Sequence, residues 1–359
     1  MISIRGLRKS FQARHGRVEA LKGIDLDVME GEFCVLLGPS GCGKTTTLRC
    51  VAGLERPDGG EIDLAGKLVN APQQRVYVAA EKREIGMVFQ SYAIWPHMNV
   101  FQNVAFPLTQ GQKSYSKSDV VDKVRNALKR VQLDGLEDRP ATDLSGGQQQ
   151  RVAMARAMVT DSKVLLMDEP LSNLDARLRE QMRVELKKIT KSIGVTTLYV
   201  THDQAEALSL GDKVCVMNQG EILQTAQPHE IYARPVNLFV AQFVGEMNFV
   251  KGRVTGPERV ECPIGDVKVS VPNGVSVGAG VTLAIRPEHV NVLPGQSQNT
   301  GAVHGKITSK NYLGDAALLE VDVNGVALLA KLAGDTDLSI GQKAVVDLPT
   351  HRWQVFQQT

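Results

Sequence analysis

The sequence predicts an α/β fold followed by an all-β region, and three observations support this prediction. A glycine-rich loop, Gly38–Thr45, lies between an apolar run and a helix-compatible segment. Apolar runs that end in polar residues recur after it, as expected for buried strands of a parallel sheet. From about Gly245 onward, short Val- and Gly-rich runs alternate without helical spacing. We therefore expect one domain over 1–240 and a β-rich domain over 241–359.

The loop sequence Gly-Pro-Ser-Gly-Cys-Gly-Lys-Thr has the spacing of a phosphate-binding loop. Its glycines allow backbone N–H groups to face the α- and β-phosphates, and the following helix adds its positive end. Lys44 can reach the β- and γ-phosphates, and the Thr45 hydroxyl can ligate Mg²⁺. A turn that is merely glycine-rich leaves the lysine unexplained. The predicted nucleotide contacts in this loop are Gly38, Pro39, Ser40, Gly41, Cys42, Gly43, Lys44, Thr45 and Thr46.

Composition excludes several classes of function. A net charge of +2 is too small to argue for binding to nucleic acid or to an anionic membrane. The five cysteines form no CxxC pair, which disfavours a zinc site or a disulfide framework and suits a reducing cytosol. Cys42 lies inside the phosphate loop, where it is either a modifiable thiol near the nucleotide or a small residue that fits.

The sequence predicts no segment that enters the membrane. Residues 1–5 contain no signal-peptide apolar region. No apolar run approaches the roughly 18 residues that a membrane-spanning helix needs. A membrane role would therefore depend on a partner.

The region before the loop predicts antiparallel β structure. Residues 2–30 alternate in short apolar stretches punctuated by glycine. Phe11 lies in this region. An exposed aromatic ring here could stack on an adenine, whereas the alternative is a core phenylalanine in a small sheet.

A helical insertion is predicted between two strands of the nucleotide-binding core. The strand Glu84–Gln90 ends in an amide, and residues 114–133 carry valines and leucines at helical spacing. Leu144–Gln148 then precedes a helix over 149–159, which gives a second helix N-terminus that can bind an anion. Because one phosphate loop already holds its own nucleotide, a second such element suggests that two copies meet across a nucleotide.

Polar residues at the ends of two apolar strands predict groups that bind a metal, activate a water and contact a phosphate. The run Val164–Glu169 ends in two carboxylates, and ligands of α/β sheets bind at the carboxyl ends of strands. Asp168 can hold Mg²⁺ through its water shell, and Glu169 can polarise an attacking water. The alternative, two solvated turn acids, does not explain the buried run. His202 follows the strand 195–201 and could reach a γ-phosphate, although a lone histidine is more often structural.

The carboxy-terminal third predicts small β-barrels that resemble an OB fold. Asn324-Gly325 between two apolar runs is a strong hairpin signal. The strands lack the aromatic and basic platform of an oligonucleotide site, so we expect no nucleic-acid partner. Bracing of a dimer and sensing of a ligand both stay open as roles for this region.

In combination and in order, these motifs resemble the nucleotide-binding subunit of an ATP-binding cassette (ABC) transporter. The resemblance covers about residues 1–240. The matching motifs are the A-loop Phe11, Walker A 38–45, the Q-loop Gln90, the signature 144–148, Walker B 164–169, the D-loop 172–175 and the switch His202. One departure is Asn173, where the family often has alanine.

The resemblance implies a P-loop NTPase core with a helical subdomain over about 91–160, which binds ATP and Mg²⁺. It implies a head-to-tail homodimer around two ATP molecules. The residues implied in catalysis are Glu169, His202, Gln90 and Lys44. Those implied at the metal are Thr45, Gln90 and Asp168. The signature residues implied to contact the partner's nucleotide are Ser145, Gly146, Gly147 and Gln148.

The resemblance also implies a membrane permease that docks near 90–143. We expect an exposed apolar strip there, formed by Tyr92, Ile94, Trp95 and Met98, with a core role for Trp95 as the alternative. The runs 285–289 and 312–315 resemble the TOBE extension of importer ATPases of the maltose, iron(III), polyamine and phosphonate types. This resemblance implies a location at the cytoplasmic face of the inner membrane, with a solute-binding protein as an indirect partner.

The run Phe243–Asn248 looks more like the iron(III) and polyamine branch, so those solutes are the expected cargo. A sugar or phosphonate importer is the alternative. A soluble ABC ATPase without a transport role is the alternative of another class, and the TOBE-like extension argues against it.

Overall fold

The chain forms two compact units in a computed structural model, Met1–Ala233 and Arg234–Thr359. The structure describes residues 1–13, 16–111, 113–272, 274–295 and 303–358. The sequence predicts the division after residue 240, seven residues later than in the structure. Helix Leu238–Phe243 accounts for the difference, because it packs with Ala284 and Phe356 of the second unit.

The first unit alternates strands and helices as the sequence predicts. Its elements in chain order are β1 (Ile2–Ala13), β2 (Gly16–Val28), β3 (Phe33–Leu37), α1 (Lys44–Ala52), β4 (Gly59–Leu64), β5 (Lys67–Ala71), β6 (Val76–Tyr77), β7 (Ile85–Val88), α2 (Val100–Gln110), α3 (Lys117–Arg130), α4 (Gly146–Met158), β8 (Val164–Asp168), α5 (Ala176–Ile193), β9 (Thr196–Thr201), α6 (Gln204–Leu210), β10 (Lys213–Asn218), β11 (Glu221–Ala226) and α7 (Pro228–Ala233). Short 3-10 turns lie at Pro72–Gln74, Ala80–Lys82 and Ala141–Asp143.

The central sheet has the strand order β11-β10-β3-β9-β8-β7. Strands β10, β3, β9, β8 and β7 are parallel, and β11 is antiparallel at one edge. Every residue of β3, β8 and β9 is buried, as expected for strands covered on both faces. Leu37 pairs with Thr201, and Asp168 pairs with Val200. The carboxyl ends of β3, β8 and β9 therefore lie at the same level of one sheet edge.

A second, antiparallel sheet has the order β2-β1-β4-β5-β6 and confirms the predicted β-rich opening. Its apolar residues share one core with α1 and with the central sheet. Leu48 and Val51 of α1 belong to this core together with Ile4, Leu166 and Leu198. The helix that follows the phosphate loop is thus held between two sheets.

The predicted helical insertion consists of α2, α3 and α4. Each begins with a capping box, at Asn99, Ser116 and Ser145 respectively, which satisfies backbone N–H groups of the first turn. Helix α3 buries Val124 and Leu128, in agreement with the predicted amphipathic pattern. Among the described residues, no helix is long and apolar enough to cross a membrane.

The expected exposed apolar strip after Gln90 is wrong in part. Tyr92 is buried, and Ile94, Trp95 and Met98 are half-buried. The Trp95 ring packs on Phe106 of α2 with ring centroids 4.2 Å apart. The chain doubles back onto the helical insertion here, so most of the apolar surface is covered within the first unit.

Where the structure describes it, the second unit is all-β apart from its first helix and two 3-10 turns. Its elements in chain order are α8 (Leu238–Phe243), β12 (Asn248–Gly256), β13 (Arg259–Cys262), β14 (Gly265–Lys268), β15 (Gly280–Ile285), β16 (Asn291–Pro294), β17 (Val303–Tyr312), β18 (Ala316–Val323), β19 (Val326–Ala333), β20 (Lys343–Asp347) and β21 (Gln354–Gln357). They form two sheets, β14-β13-β12-β15-β21 and β16-β20-β17-β18-β19. Asn324 and Gly325 both have positive φ, 51° and 84°, so the predicted hairpin turn joins β18 to β19.

Arg83 closes the carboxyl end of α1. Its guanidinium donates to the carbonyls of Cys50 and Val51 at 2.7 Å each and to Val78 at 2.9 Å, and the side chain is buried. We predict that Arg83→Met lowers the free energy of unfolding by about 3 kcal/mol, because buried carbonyls lose their donors. The urea midpoint measures this, with exposed Arg125→Met as control. Equal midpoints for the two variants would contradict the prediction.

Candidate active site

The loop between β3 and α1 is shaped by close backbone contacts. A Cβ at Gly38 would lie 2.4 Å from the Met217 carbonyl oxygen, and one at Gly43 would lie 2.7 Å from that of Ala20. Gly43 also has a φ of 108° and is the N-cap of α1. Packing against β10 and β2 therefore requires glycine at both ends of the loop, which leaves the N–H groups of the α1 start available.

Lys44 is 4% exposed and points back into the loop. Its ammonium donates to the carbonyls of Gly38 and Pro39, at 2.7 and 2.9 Å. Cys42 Sγ lies 3.8 Å from the ammonium, and burial raises the pKa of this thiol. A buried, protonated thiol is a poor nucleophile, so the structure favours the small-residue interpretation of Cys42.

Asp168 and Thr45 place two oxygen atoms beside the loop. The Thr45 hydroxyl donates to Asp168 Oδ1 at 3.2 Å. Asp168 is 7% exposed, and burial raises the pKa of its carboxyl group although the Thr45 hydrogen bond opposes the shift. A negative charge that costs free energy in the folded chain is a position that a cation can stabilise. Oxygen ligands of this kind suit Mg²⁺.

A metal held mainly by side chains is not indicated elsewhere in the part of the chain that the structure describes. In the described parts of the chain, no three His, Cys, Asp or Glu residues come together as a metal site. Mg²⁺ in nucleotide sites usually binds one or two protein oxygens together with phosphates and waters. The Thr45 and Asp168 pair fits that pattern.

Glu169 has a strained backbone and faces His202. Its φ is 43°, in the left-handed region that non-glycine residues rarely adopt, and its N–H donates to the Val200 carbonyl at 3.0 Å. Its Oε2 lies 3.0 Å from Nδ1 of His202, at a distance where a ring N–H donates to the carboxylate. The Glu169 side chain is 19% exposed and that of His202 is 56% exposed. The tight turn after β8 therefore directs a carboxylate toward the sheet edge, with the histidine beside it.

Gln90 is tied to the segment after Glu169 by two hydrogen bonds. Its side-chain Nε2 donates to Ser172 Oγ at 3.3 Å, and Asn173 Nδ2 donates to the Gln90 carbonyl at 2.9 Å. Ser172 Oγ donates in turn to the Glu169 carbonyl at 2.9 Å. In the sequence, Asn173 stands out only as a departure from a family pattern. The structure gives it a partner 83 positions away.

Phe11 lies on β1 with 40% of its surface exposed, so it is not a core residue. Its neighbour on β2 is Val18, two positions before Ala20, whose carbonyl abuts Gly43. At about 3.3 Å of rise per residue, Phe11 lies roughly 7 Å along the strand from that contact. The Lys9 ammonium is 5.0 Å from the ring centroid. This placement fits an aromatic ring at the rim of the nucleotide site.

The start of α4 packs on helix α5. The Ser145 hydroxyl caps α4 by accepting a hydrogen bond from the Gln148 N–H, and both Ser145 and Gly146 are exposed. A Cβ at Gly147 would lie 3.1 Å from Leu178 Cδ1 of α5. The signature segment is thus packed on α5, with its N-terminal end open to solvent and available to a second molecule.

Comparisons with known proteins agree with these features. A sequence profile described as ABC transporter matches residues 21–172, and one described as TOBE domain matches 283–356. The trehalose/maltose import ATP-binding protein MalK of Thermococcus litoralis is 41% identical over 96% of this chain and 95% of its own length. The spermidine/putrescine import ATP-binding protein PotA of Marinobacter nauticus is 44% identical over 88% and 82%. A dimeric ATP-binding cassette bound to ADP and Pi gives a TM-score of 0.54 at 28% identity over 64% and 99%.

The raised pKa of Asp168 has a consequence for stability. A carboxyl group whose pKa is higher in the folded chain destabilises the fold above that pKa, and the penalty disappears as pH falls through it. We predict that Asp168→Asn raises the thermal midpoint of the nucleotide-free chain near neutral pH, by about 2–4 °C for each kcal/mol gained. The difference from wild type should narrow as the pH is lowered.

The measurement is thermal unfolding across a pH series, with exposed Asp134→Asn as the matched control. A midpoint for Asp168→Asn below that of the wild type at neutral pH would contradict the prediction.

Proposed function

The chain belongs to the ABC transporter family, and we propose that it is the ATP-hydrolysing subunit that energises import of a small solute. One observation carries the catalytic part of this proposal. The Glu169 and His202 side chains lie 3.0 Å apart at the sheet edge that also holds the loop of Lys44. A carboxylate, a histidine and a phosphate-binding lysine at one edge suit hydrolysis of a nucleoside triphosphate better than binding alone.

ATP would bind with its phosphates on the loop and its base on Phe11. The Lys44 ammonium donates hydrogen bonds to loop carbonyls in this structure. It would donate instead to β- and γ-phosphate oxygens when ATP is bound. Thr45 and Asp168 would hold Mg²⁺, with Gln90 completing the set. Bound Mg²⁺ would supply charge neutralisation for the phosphates. Burial of Asp168 supports this assignment, because a cation offsets the cost of its charge.

Glu169 would orient and polarise the attacking water. The left-handed turn at this residue supports the role, because strain of this kind persists where the surrounding structure enforces it and is common at active sites. His202 would contact the γ-phosphate while its Nδ1 stays on the Glu169 carboxylate. Gln90 would sense the γ-phosphate, and its hydrogen bond to Ser172 would link it to the segment after Glu169. Proton removal by a positioned carboxylate typically contributes about 10²–10⁴ in rate.

A homodimer would complete the site. Ser145, Gly146, Gly147 and Gln148 of one copy would face the nucleotide on the loop of the other. The exposed N-terminal end of α4 supports this, since its dipole and N–H groups favour an anion. The similar cassette described above was solved as a dimer bound to ADP and Pi.

A permease would dock on the first unit near residues 90–143. A groove of about 970 Å³ lies between the antiparallel sheet and the helical insertion, with Met87, Trp95 and Phe106 among its apolar residues. A mixed apolar and charged groove of this size suits a helical segment of a partner. The protein would then lie at the cytoplasmic face of the inner membrane, with a solute-binding protein acting through the permease.

The transported solute would be selected by the partner proteins and not by the nucleotide site of this chain. MalK carries a trehalose/maltose name and PotA a spermidine/putrescine name at similar identity. We propose an iron(III) or polyamine cargo on the run Phe243–Asn248, with sugar and phosphonate as alternatives. Both relatives bear import names, and the TOBE match covers residues 283–356 of the second unit, which disfavours a soluble ABC ATPase without a transport role.

Glu169→Gln tests the catalytic proposal. The amide keeps the size of the side chain but cannot accept a proton, so we predict that Mg²⁺-ATP hydrolysis falls by about 10²-fold or more. The variant should also accumulate an ATP-bound dimer, detected by light scattering. The control is exposed Glu180→Gln on α5, which should hydrolyse ATP at the wild-type rate. A Glu169→Gln protein as active as this control would remove Glu169 from the proposed role.

A transport assay tests the cargo. The chain is co-expressed with its candidate permease and solute-binding protein, and uptake of labelled iron(III), spermidine, maltose and a phosphonate is compared. We expect uptake of iron(III) or spermidine that requires ATP and is lost in Glu169→Gln. Uptake of maltose or the phosphonate alone would select the alternative, and uptake of none of the four would contradict the proposed cargo.

A further inference from the structure

Arg156 of α4 holds a buried charge that no carboxylate compensates among the described residues. Its side chain is 7% exposed, and burial alone lowers its pKa to about 10. The guanidinium donates to the Tyr92 carbonyl at 2.6 Å and to the Ala93 carbonyl at 2.7 Å, and it lies 4.5 Å from the Trp95 ring centroid. Burying a charge without a counter-ion costs free energy, so a purely packing role would be better filled by an apolar side chain.

The two carbonyls belong to residues in an unfavourable conformation. Tyr92 and Ala93 have φ values of 60° and 45°, both in the left-handed region. A non-glycine residue in this region is strained and keeps the conformation only where its surroundings enforce it. The planar guanidinium offers donors at a fixed spacing, which lysine cannot reproduce. Arg156 therefore enforces the path of the chain at these two residues.

The same segment is tied at both ends by other side chains. Asn173 donates to the Gln90 carbonyl at 2.9 Å. Asn103 of α2 accepts from the Trp95 N–H at 3.0 Å and donates to the Trp95 carbonyl at 3.2 Å. Residues 90–95 thus form one braced segment, whose Gln90 end lies at the nucleotide-binding edge and whose Trp95 end lines the 970 Å³ groove.

We propose that Arg156 is a positioning residue that transmits nucleotide binding at Gln90 to the groove surface at Trp95, by keeping residues 90–95 in a single conformation. The inference rests on the proposed function, because it takes Gln90 as a nucleotide-sensing residue. Arg156 also stands on the helix whose first turn would face the partner's nucleotide. The groove surface would therefore respond both to the chain's own nucleotide and to closure of the dimer.

The two tryptophans make a test possible in the isolated full chain. Trp353→Phe leaves Trp95 as the single emitter. In the Trp353→Phe, Glu169→Gln background, Trp95 emission and its quenching by acrylamide are measured during titration with Mg²⁺-ATP. Binding of ATP is measured separately by equilibrium dialysis. We expect ATP to change both the emission and the quenching of Trp95 in this parent protein.

Arg156→Met and Arg156→Lys are then compared in the same background. We expect both to bind ATP with the parent's affinity, while the Trp95 response is lost with methionine and reduced with lysine. Arg151→Lys is the matched control on the same helix, because Arg151 pairs with Glu185 of α5 and not with residues 90–95. That control should keep the full response. Arg156→Lys keeps the charge and most of the length, so the test stands if the methionine variant does not fold.

The outcomes separate the inference from the proposed function. A full Trp95 response in an ATP-bound Arg156 variant overturns the inference, as does an ATP-bound parent that shows no response. Failure of the parent protein to bind ATP by dialysis instead contradicts the proposed function. A structural role alone predicts lower stability with an unchanged response per bound ATP.

Discussion

The parallel register of the central sheet is the constraint on which the rest of the structure depends. Leu37 of β3 lies opposite Thr201 of β9, and Asp168 of β8 lies opposite Val200. Parallel strands place all their carboxyl ends at one edge, so residues that follow different strands emerge together. A shift of one residue in either pairing would turn buried side chains toward the other face and would separate the lysine loop from the Glu169 turn. Fully buried strands specify this register strongly.

The site is stabilised by its surroundings and not by its own residues. Asp168 is buried with a raised pKa, Glu169 has a left-handed backbone, and Arg156 is a buried cation with no counter-ion among the residues that the structure describes. Each feature costs free energy in the folded chain. The shared core of α1 and the two sheets supplies the compensating burial of apolar surface. Because these features destabilise the ligand-free chain, binding of cations and phosphates at the site should stabilise the folded state.

Two sequence-based expectations differ from the structure for the same physical reason. The sequence predicts that the apolar run around Trp95 is exposed and that the first domain extends to residue 240. Both expectations rest on local apolar segments alone, and a local segment does not reveal which residues pack against it. Phe106 and Arg156 cover Trp95, and Ala284 and Phe356 draw helix α8 into the second unit. Partners that lie far along the chain cannot be inferred from periodicity.

The sequence by itself determines the elements and most of the candidate site. Glycine spacing around Lys44, the apolar run before Glu169 and the Asn324-Gly325 turn each depend on local backbone preferences, which neighbouring residues express without the fold. Only the tertiary structure decides that Asn173 holds Gln90 and that Arg156 holds residues 92 and 93, across 83, 64 and 63 positions of the chain. Such bonds form because packing brings the groups within reach at fixed angles, and no local pattern encodes that geometry.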